Sequence, residues 1–138
     1  MTYLLDTNAC ITIINRKAPH SFELSLNHAL NQGEILYVPS IAVHELWFGV
    51  ARSQRAKANG YNLTQFLKST FEILNFDSQD ARIAGEIRAT LARRGTPIGP
   101  YDVLIAGQAL ARGLTLVTAN TREFSRVEGL NLVDWTRE

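Results

Sequence analysis

Residues 3–8 read YLLDTN, a short apolar run that stops abruptly on a carboxylate, a hydroxyl and an amide. Tyr3 to Leu5 predicts a buried strand, and two readings of Asp6 compete. It can cap the helix that follows, a position that suits Asp and Asn. It can also stand at a site, because open parallel α/β sheets bind ligands in the crevice beyond the carboxyl ends of their strands. The stretch LTLVTAN at residues 114–120 repeats the pattern, running an apolar strand at Thr115 to Thr118 into Asn120. Two such ends on one sheet edge favour the functional reading of Asp6.

Between these strands the chain alternates. Helices are predicted at Asn8 to Asn15, Ser21 to Asn31 and Ser40 to about Arg52, with a strand at Ile35 to Val38 closed by Pro39. In the third helix Val43, Leu46, Trp47 and Val50 recur at helical spacing and predict its inward face. A polar loop containing Asn59-Gly60 leads to a helix at Leu63 to Phe71 and a strand at Ile73 to Phe76. Asp77 then caps a long helix through Arg94 that Gly95 ends. The loop TPIGPYD opens a helix from about Tyr101 to Arg112, closed by Gly113, and after the Thr115 strand come a polar turn and a last strand around Leu130 to Val133. Strands alternating with helices imply crossover connections, hence an α/β fold with a parallel sheet covered on both faces.

The chain has 138 residues, 46% hydrophobic and 20% charged, without repeats or low-complexity tracts. This fits one domain spanning residues 1–138, which buries roughly two-thirds of its unfolded surface. The lone Cys10, among Ala9, Ile11 and Ile13, predicts a buried thiol and a reducing cytoplasm. No charged start precedes a hydrophobic stretch and no run approaches the roughly 20 residues of a membrane span, so neither secretion nor insertion is expected. With 14 basic and 13 acidic residues the net charge of +1 is uninformative. Local clusters say more: Arg52, Arg55 and Lys57; Arg93 and Arg94; Arg112, Arg122 and Arg126. Each one alone reads as a solvated helix end.

Two further carboxylates join Asp6. Glu45, in HELWFG (44–49), points away from the predicted apolar stripe, either to water or into a second buried seam. Asp102 falls in the first turn of a helix, where a negative side chain suits the dipole. That helix is nearly all apolar, however, so its start belongs in the interior. Carboxylates sharing a buried place repel and stay ionised only with a compensating cation. Oxygen-only sets suit Mg²⁺ or Mn²⁺, which can orient a water, lower its pKa and neutralise charge building up at phosphorus. Convergence of the three acids on one ion is the decisive expectation.

Competing motifs fail on spacing. HELWF lacks the second His of H-E-x-x-H, since its fifth residue is Phe48, and His20, His28 and His44 form no ligand pair. No phosphate-binding or dinucleotide glycine loop and no G-x-S-x-G elbow is present. A phosphatase of the haloacid-dehalogenase type needs a second Asp at position 8, where this chain has Asn.

LLDTN (4–8), HELWFG (44–49), RRGTPIGPYDVLIAGQALARG (93–113) and LVTANTREFSRVEGLNLVDW (116–135), in this order, resemble the PIN-domain ribonucleases, specifically the VapC toxins of bacterial toxin–antitoxin pairs. The resemblance implies a three-layer fold with a central parallel sheet of four to five strands. It also implies a Mg²⁺- or Mn²⁺-dependent endoribonuclease in which Asp6, Glu45 and Asp102 occupy the three acidic, metal-holding positions. At the fourth, often Asp, this chain has Asn120, and three residues on Glu123; either could complete the site. Thr7, Asn8 and Thr118 match positions beside it, their polar groups orienting Asp6 or the metal water or meeting RNA.

The implied partners are an RNA substrate, by further likeness the anticodon loop of initiator tRNA, a VapB-like antitoxin that blocks the acidic pocket, and a second copy in a homodimer, with larger assemblies alongside the antitoxin. RNA loops splay out their bases while Arg and Lys follow phosphates. Arg93, Arg94, Arg112, Arg122 and Arg126 are the candidates for that task. Trp47 and Phe48 are expected in the core rather than as stacking platforms. The alternative is a non-catalytic module of the same fold that only binds RNA or a partner.

Overall fold

The computed structural model describes residues 2–137. Its elements run β1 (Tyr3–Leu5), α1 (Thr7–Ile14), α2 (His20–Asn31), β2 (Leu36–Pro39), α3 (Ser40–Ala51), α4 (Ala56–Leu67), β3 (Glu72–Leu74), α5 (Ser78–Arg93), α6 (Pro100–Ala111), β4 (Thr115–Val117), α7 (Thr121–Phe124) and β5 (Asn131–Val133). The five strands are all parallel in the order β3-β2-β1-β4-β5. The α/β, three-layer expectation holds.

β1 lies at the centre of this sheet. Leu4 and Leu5 are both fully buried, as expected for a strand covered on both faces. The chain moves outward one way from β1 through β2 to β3, then returns to the other side of β1 for β4. The order therefore reverses between β1 and β4, the place where open sheets leave a crevice at their carboxyl edge. Register brings Leu5 beside Val117, so residues 6 and 118 leave the sheet together.

Helices α5 and α6 pack closely at Gly107. A Cβ there would stand 2.5 Å from that of Ala84 and 2.7 Å from its Cα, so only a bare backbone permits this approach. The N-terminus of α5 is closed by a capping box between Asp77 and Asp80, each side chain accepting from the other's backbone N–H at 3.0 Å. Gly95 and Gly113 follow α5 and α6 with φ of 69° and 65°, the left-handed conformation that ends a helix. Cys10 is buried, and burial pushes its thiol pKa up. Among the described residues no helix is long and apolar enough to cross a membrane.

Four local expectations are corrected. The loop predicted around Asn59-Gly60 lies inside α4, where Gly60 faces α3: a Cβ there would make ordinary contact with Val50 at 3.5 Å and Trp47 at 3.8 Å. Consequently α4 ends at Leu67, and β3 begins at Glu72. The polar turn after β4 contains the short helix α7, anchored by buried Phe124. On α3 the buried residues are Ala42 and Leu46, whereas Trp47 and Phe48 are 42% and 59% exposed. These two aromatics are not core.

Candidate active site

Asp6 follows β1 directly and has both of the roles its sequence posed as alternatives. Its extended backbone (φ −72°, ψ 171°) caps α1, and its Oδ1 accepts from the Ala9 N–H at 2.7 Å. Its own N–H donates to Val117 at 3.1 Å, tying it to the end of β4. Burial pushes its carboxyl pKa up; hydrogen bonds from the Thr118 hydroxyl and the Ala9 N–H oppose this, and the charges of Glu45 and Asp134 add to the rise. The residue is only 3% exposed, yet it forms part of the floor of an open cleft of about 600 Å³.

Glu45 and Asp102 line the same cleft. Helix α3 brings Glu45 to the opening of α1, where its Oε1 accepts the Thr7 hydroxyl at 2.6 Å. Half-buried and lining the open cleft, Glu45 stands between the two positions expected for it. Asp102 lies in the first turn of α6 but does not cap it: Gly99 is the cap residue, and no side chain satisfies that terminus. Burial, and then the charges of Asp6, Glu45 and Glu123, push the Asp102 carboxyl up to about 6. Three like charges act on it, and among the described residues no cation is seen to offset them.

Thr118, Asn120 and Glu123 stand at the end of β4, beside the cleft rather than in its lining. The Thr118 hydroxyl accepts from the Asn120 N–H at 2.9 Å, and the Asn120 side-chain amide donates to Glu123 at 2.9 Å. Asn120 thus steadies the carboxylate whose field reaches Asp102, so the neutral residue and the acid work as a pair. Asn8 lines the cleft beside Thr7.

The basic candidates fare differently. Arg112 is engaged by Asp80 at 2.9 Å, Asp77 at 3.2 Å and the Asn75 carbonyl at 3.0 Å, at the far end of α6, and is structural. Arg126 donates to the Pro97 carbonyl at 2.9 Å, and Arg94 lies 3.9 Å from Glu128. Arg93 reaches Thr90 on its own helix, and Arg122 is exposed on α7. None of them lines the cleft; Arg52 does. Sequence reasoning also missed His44, Phe48 and Tyr101 as cleft residues. The signal was available in the four-residue interval that puts His44, Phe48 and Arg52 in one row on α3.

A divalent cation fits this donor set by its chemistry: oxygen ligands and, among the charges that act on Asp102, carboxylates alone. Among the described residues no three acidic, His or Cys side chains come together as a group that could hold a metal ion, so the expected convergence of Asp6, Glu45 and Asp102 on one ion is not found; what the three share is a cleft and a field. Mg²⁺ is usually held by one or two carboxylates with waters filling the rest, which needs no such group.

A family model described as "PIN domain" matches residues 3–130. The chain is 43% identical to a tRNA(fMet)-specific endonuclease VapC of Shigella flexneri, over 99% of both chains. A protein of that description from Salmonella typhimurium is 42% identical over 98% of each. Among solved structures, VapBC2 from Rickettsia felis, bound to a DNA fragment from its promoter, contains a chain that superposes with a TM-score of 0.89 at 37% identity, covering 98% of this chain and 99% of that one.

Proposed function

The chain belongs to the PIN-domain family, among its VapC members, and from that premise we propose that it is a metal-dependent endoribonuclease, the toxin of a toxin–antitoxin pair. The observation that carries this reading is the repulsion gathered on Asp102. Its carboxyl is raised to about 6 by burial and by Asp6, Glu45 and Glu123 at the point where the strand order reverses. Such a raised pKa in a cleft marks a functional group.

Asp6 and Asp102 are the residues that would hold a Mg²⁺ or Mn²⁺ ion, with Glu45 and Glu123 beside them. Bound there, the ion supplies an activated water and charge to offset that developing on phosphorus. The remaining work falls to the chain. The Ala9 N–H and Thr118 hydroxyl fix Asp6, the Thr7 hydroxyl fixes Glu45, and Asn120 fixes Glu123. Glu45, held through one oxygen, keeps the other for the proton of the attacking water. The 43% and 42% identity, over nearly the whole of each chain, to relatives named tRNA(fMet)-specific endonuclease supports initiator tRNA as substrate; cleavage within its anticodon loop rests on the resemblance of the motifs. The likeness to VapBC complexes supports a VapB-like antitoxin as partner. An antitoxin that covers the cleft, and a homodimeric toxin in larger assemblies with it, rest on the resemblance of the motifs.

The test is cleavage of tRNA(fMet) by the purified protein with Mg²⁺, Mn²⁺ or EDTA. Metal-dependent cutting abolished in Asp102→Asn supports the assignment. Cutting that survives EDTA, or that survives in both Asp6→Ala and Asp102→Asn, overturns it. RNA bound tightly at every metal concentration without product would leave a binding module.

A further inference from the structure

The acidic cleft has aromatic walls that the acids alone do not explain. Phe48 and Tyr101 are 59% and 44% exposed, and both line the cleft with Asp6 and Asp102. Each carries a polar companion. The guanidinium carbon of Arg52 lies over one face of the Phe48 ring, 5.1 Å from its centre, so a base would stack on the other face; the His44 and Tyr101 rings are 5.6 Å apart, inclined at 49°. All four side chains face the cleft. His44, Phe48 and Arg52 follow one another at four-residue intervals on α3, so a single helix row presents an imidazole, a phenyl face and a guanidinium beside Glu45.

A phenyl ring left largely in water beside a cation and a set of carboxylates matches one chemistry well. Every nucleobase has a flat π face that stacks on an aromatic ring, and the phosphate that follows it matches the guanidinium fork. The next phosphate along the strand would then lie over Asp6 and Asp102, the residues that would hold the cation. A purely apolar protein segment would cover the ring but would find no use for Arg52.

Building on the ribonuclease reading above, we propose that Phe48 with Arg52, and Tyr101 with His44, are stacking faces that take unpaired RNA bases and so position the strand over the carboxylates. They are positioning residues. They select splayed-out loop bases over paired ones, whatever the sequence.

The test uses the full chain in EDTA and a stem-loop RNA with a randomised seven-nucleotide loop, compared by fluorescence anisotropy with the same stem carrying a fully abasic loop. The parent protein is expected to prefer the loop with bases by roughly 5- to 100-fold, the range that base–aromatic stacking supports. Phe48→Ala and Phe48→Leu should lose most of that preference, and Phe48→Trp should keep it. Because Phe48 is exposed, these variants should melt with the parent, which a thermal scan checks. Equal binding of the two loops by the parent, or an undiminished preference in Phe48→Ala, overturns the proposal. So does a Phe48→Ala protein that keeps the preference but escapes inhibition by its antitoxin, since the ring then serves a protein partner. Adding Mg²⁺ separates this from the nuclease reading: base preference without product keeps the stacking faces and removes the ribonuclease.

Discussion

Helix α6 has a carboxylate at each end, and the two are treated in opposite ways. At its C-terminal end Asp80, reaching in from α5, is fully buried and satisfied. Arg112 donates to it at 3.1 and 2.9 Å, Gln108 at 3.3 Å and the Asp77 N–H at 3.0 Å. Burial pushes its carboxyl up, but the Arg112 guanidinium and the Asp77 N–H outweigh that and hold it below the ordinary value. At the N-terminal end Asp102 has three negative neighbours and is raised to about 6. A fold that can neutralise one carboxylate this thoroughly leaves the other open. The first charge is complete within the chain, and the second is complementary to something outside it.

The largest expected effect tests the open end. Asp102→Asn keeps the size of the side chain and removes the charge, and it should lower tRNA(fMet) cleavage by at least ~100-fold, the scale of losing electrostatic stabilisation at a developing charge. Denaturant melts of the same variant should match or exceed the parent. A variant that is much less stable would place Asp102 with Asp80 and erase the contrast.

Next comes the closed end. Arg112→Leu leaves Asp80 buried without its cation and should destabilise by about 3 kcal/mol, at the low side of the range for a broken buried pair because Arg112 keeps some access to water. Urea unfolding reads this directly. Between the two ends sits Gly107, whose added Cβ would overlap Ala84. Gly107→Ala should cost about 1–3 kcal/mol, as overpacking does, visible as a lower urea midpoint with an unchanged slope.

The smallest effect is the most diagnostic, because the two ends should respond to pH with opposite signs. Asp102 binds its proton more tightly folded than unfolded, so its contribution makes the metal-free protein less stable as pH rises from about 4 through about 6. Asp80 has a folded pKa below its unfolded one; its contribution is present above pH 4 and lost as pH falls further. Melting curves from pH 3 to 7 should show Asp102→Asn flattening only the upper slope. Saturating Mg²⁺ should raise the melting temperature of the parent above pH 6 and not that of Asp102→Asn, by linkage to the ionised form.

The parts of this design that could be read in the sequence are those encoded by neighbouring residues. YLLD and LTLVT each place a polar group directly after a strand, and the long apolar helix after GPYD announced its own burial. Helix α3 defeats the same reasoning: apolar residues stand on every side of it, interrupted only by Ser40, His44 and Glu45, so periodicity does not separate its faces and places Trp47 and Phe48 inward when they are exposed. Asn59-Gly60 misled for a different reason. A local breaker signal was overridden by packing of α4 on α3. The arginines carried no information until their partners were known, since Arg112, the most firmly bound, and Arg52, at the cleft, look alike in one dimension.

Gly99 shows how such a site can depend on a group that is missing. Its φ of −54° is open to any amino acid, and Pro100 after it favours that extended shape, so the backbone does not demand glycine. Space is tight instead: a methyl at this position would lie 3.0 Å from Oδ2 of Asp102, so that carboxylate would have to give by a few tenths of an ångström. An alanine here would leave the scaffold standing while crowding Asp102, which, unlike Asp6, Glu45 and Glu123, accepts no hydrogen bond from the described residues, a loss of activity written without altering any reactive side chain.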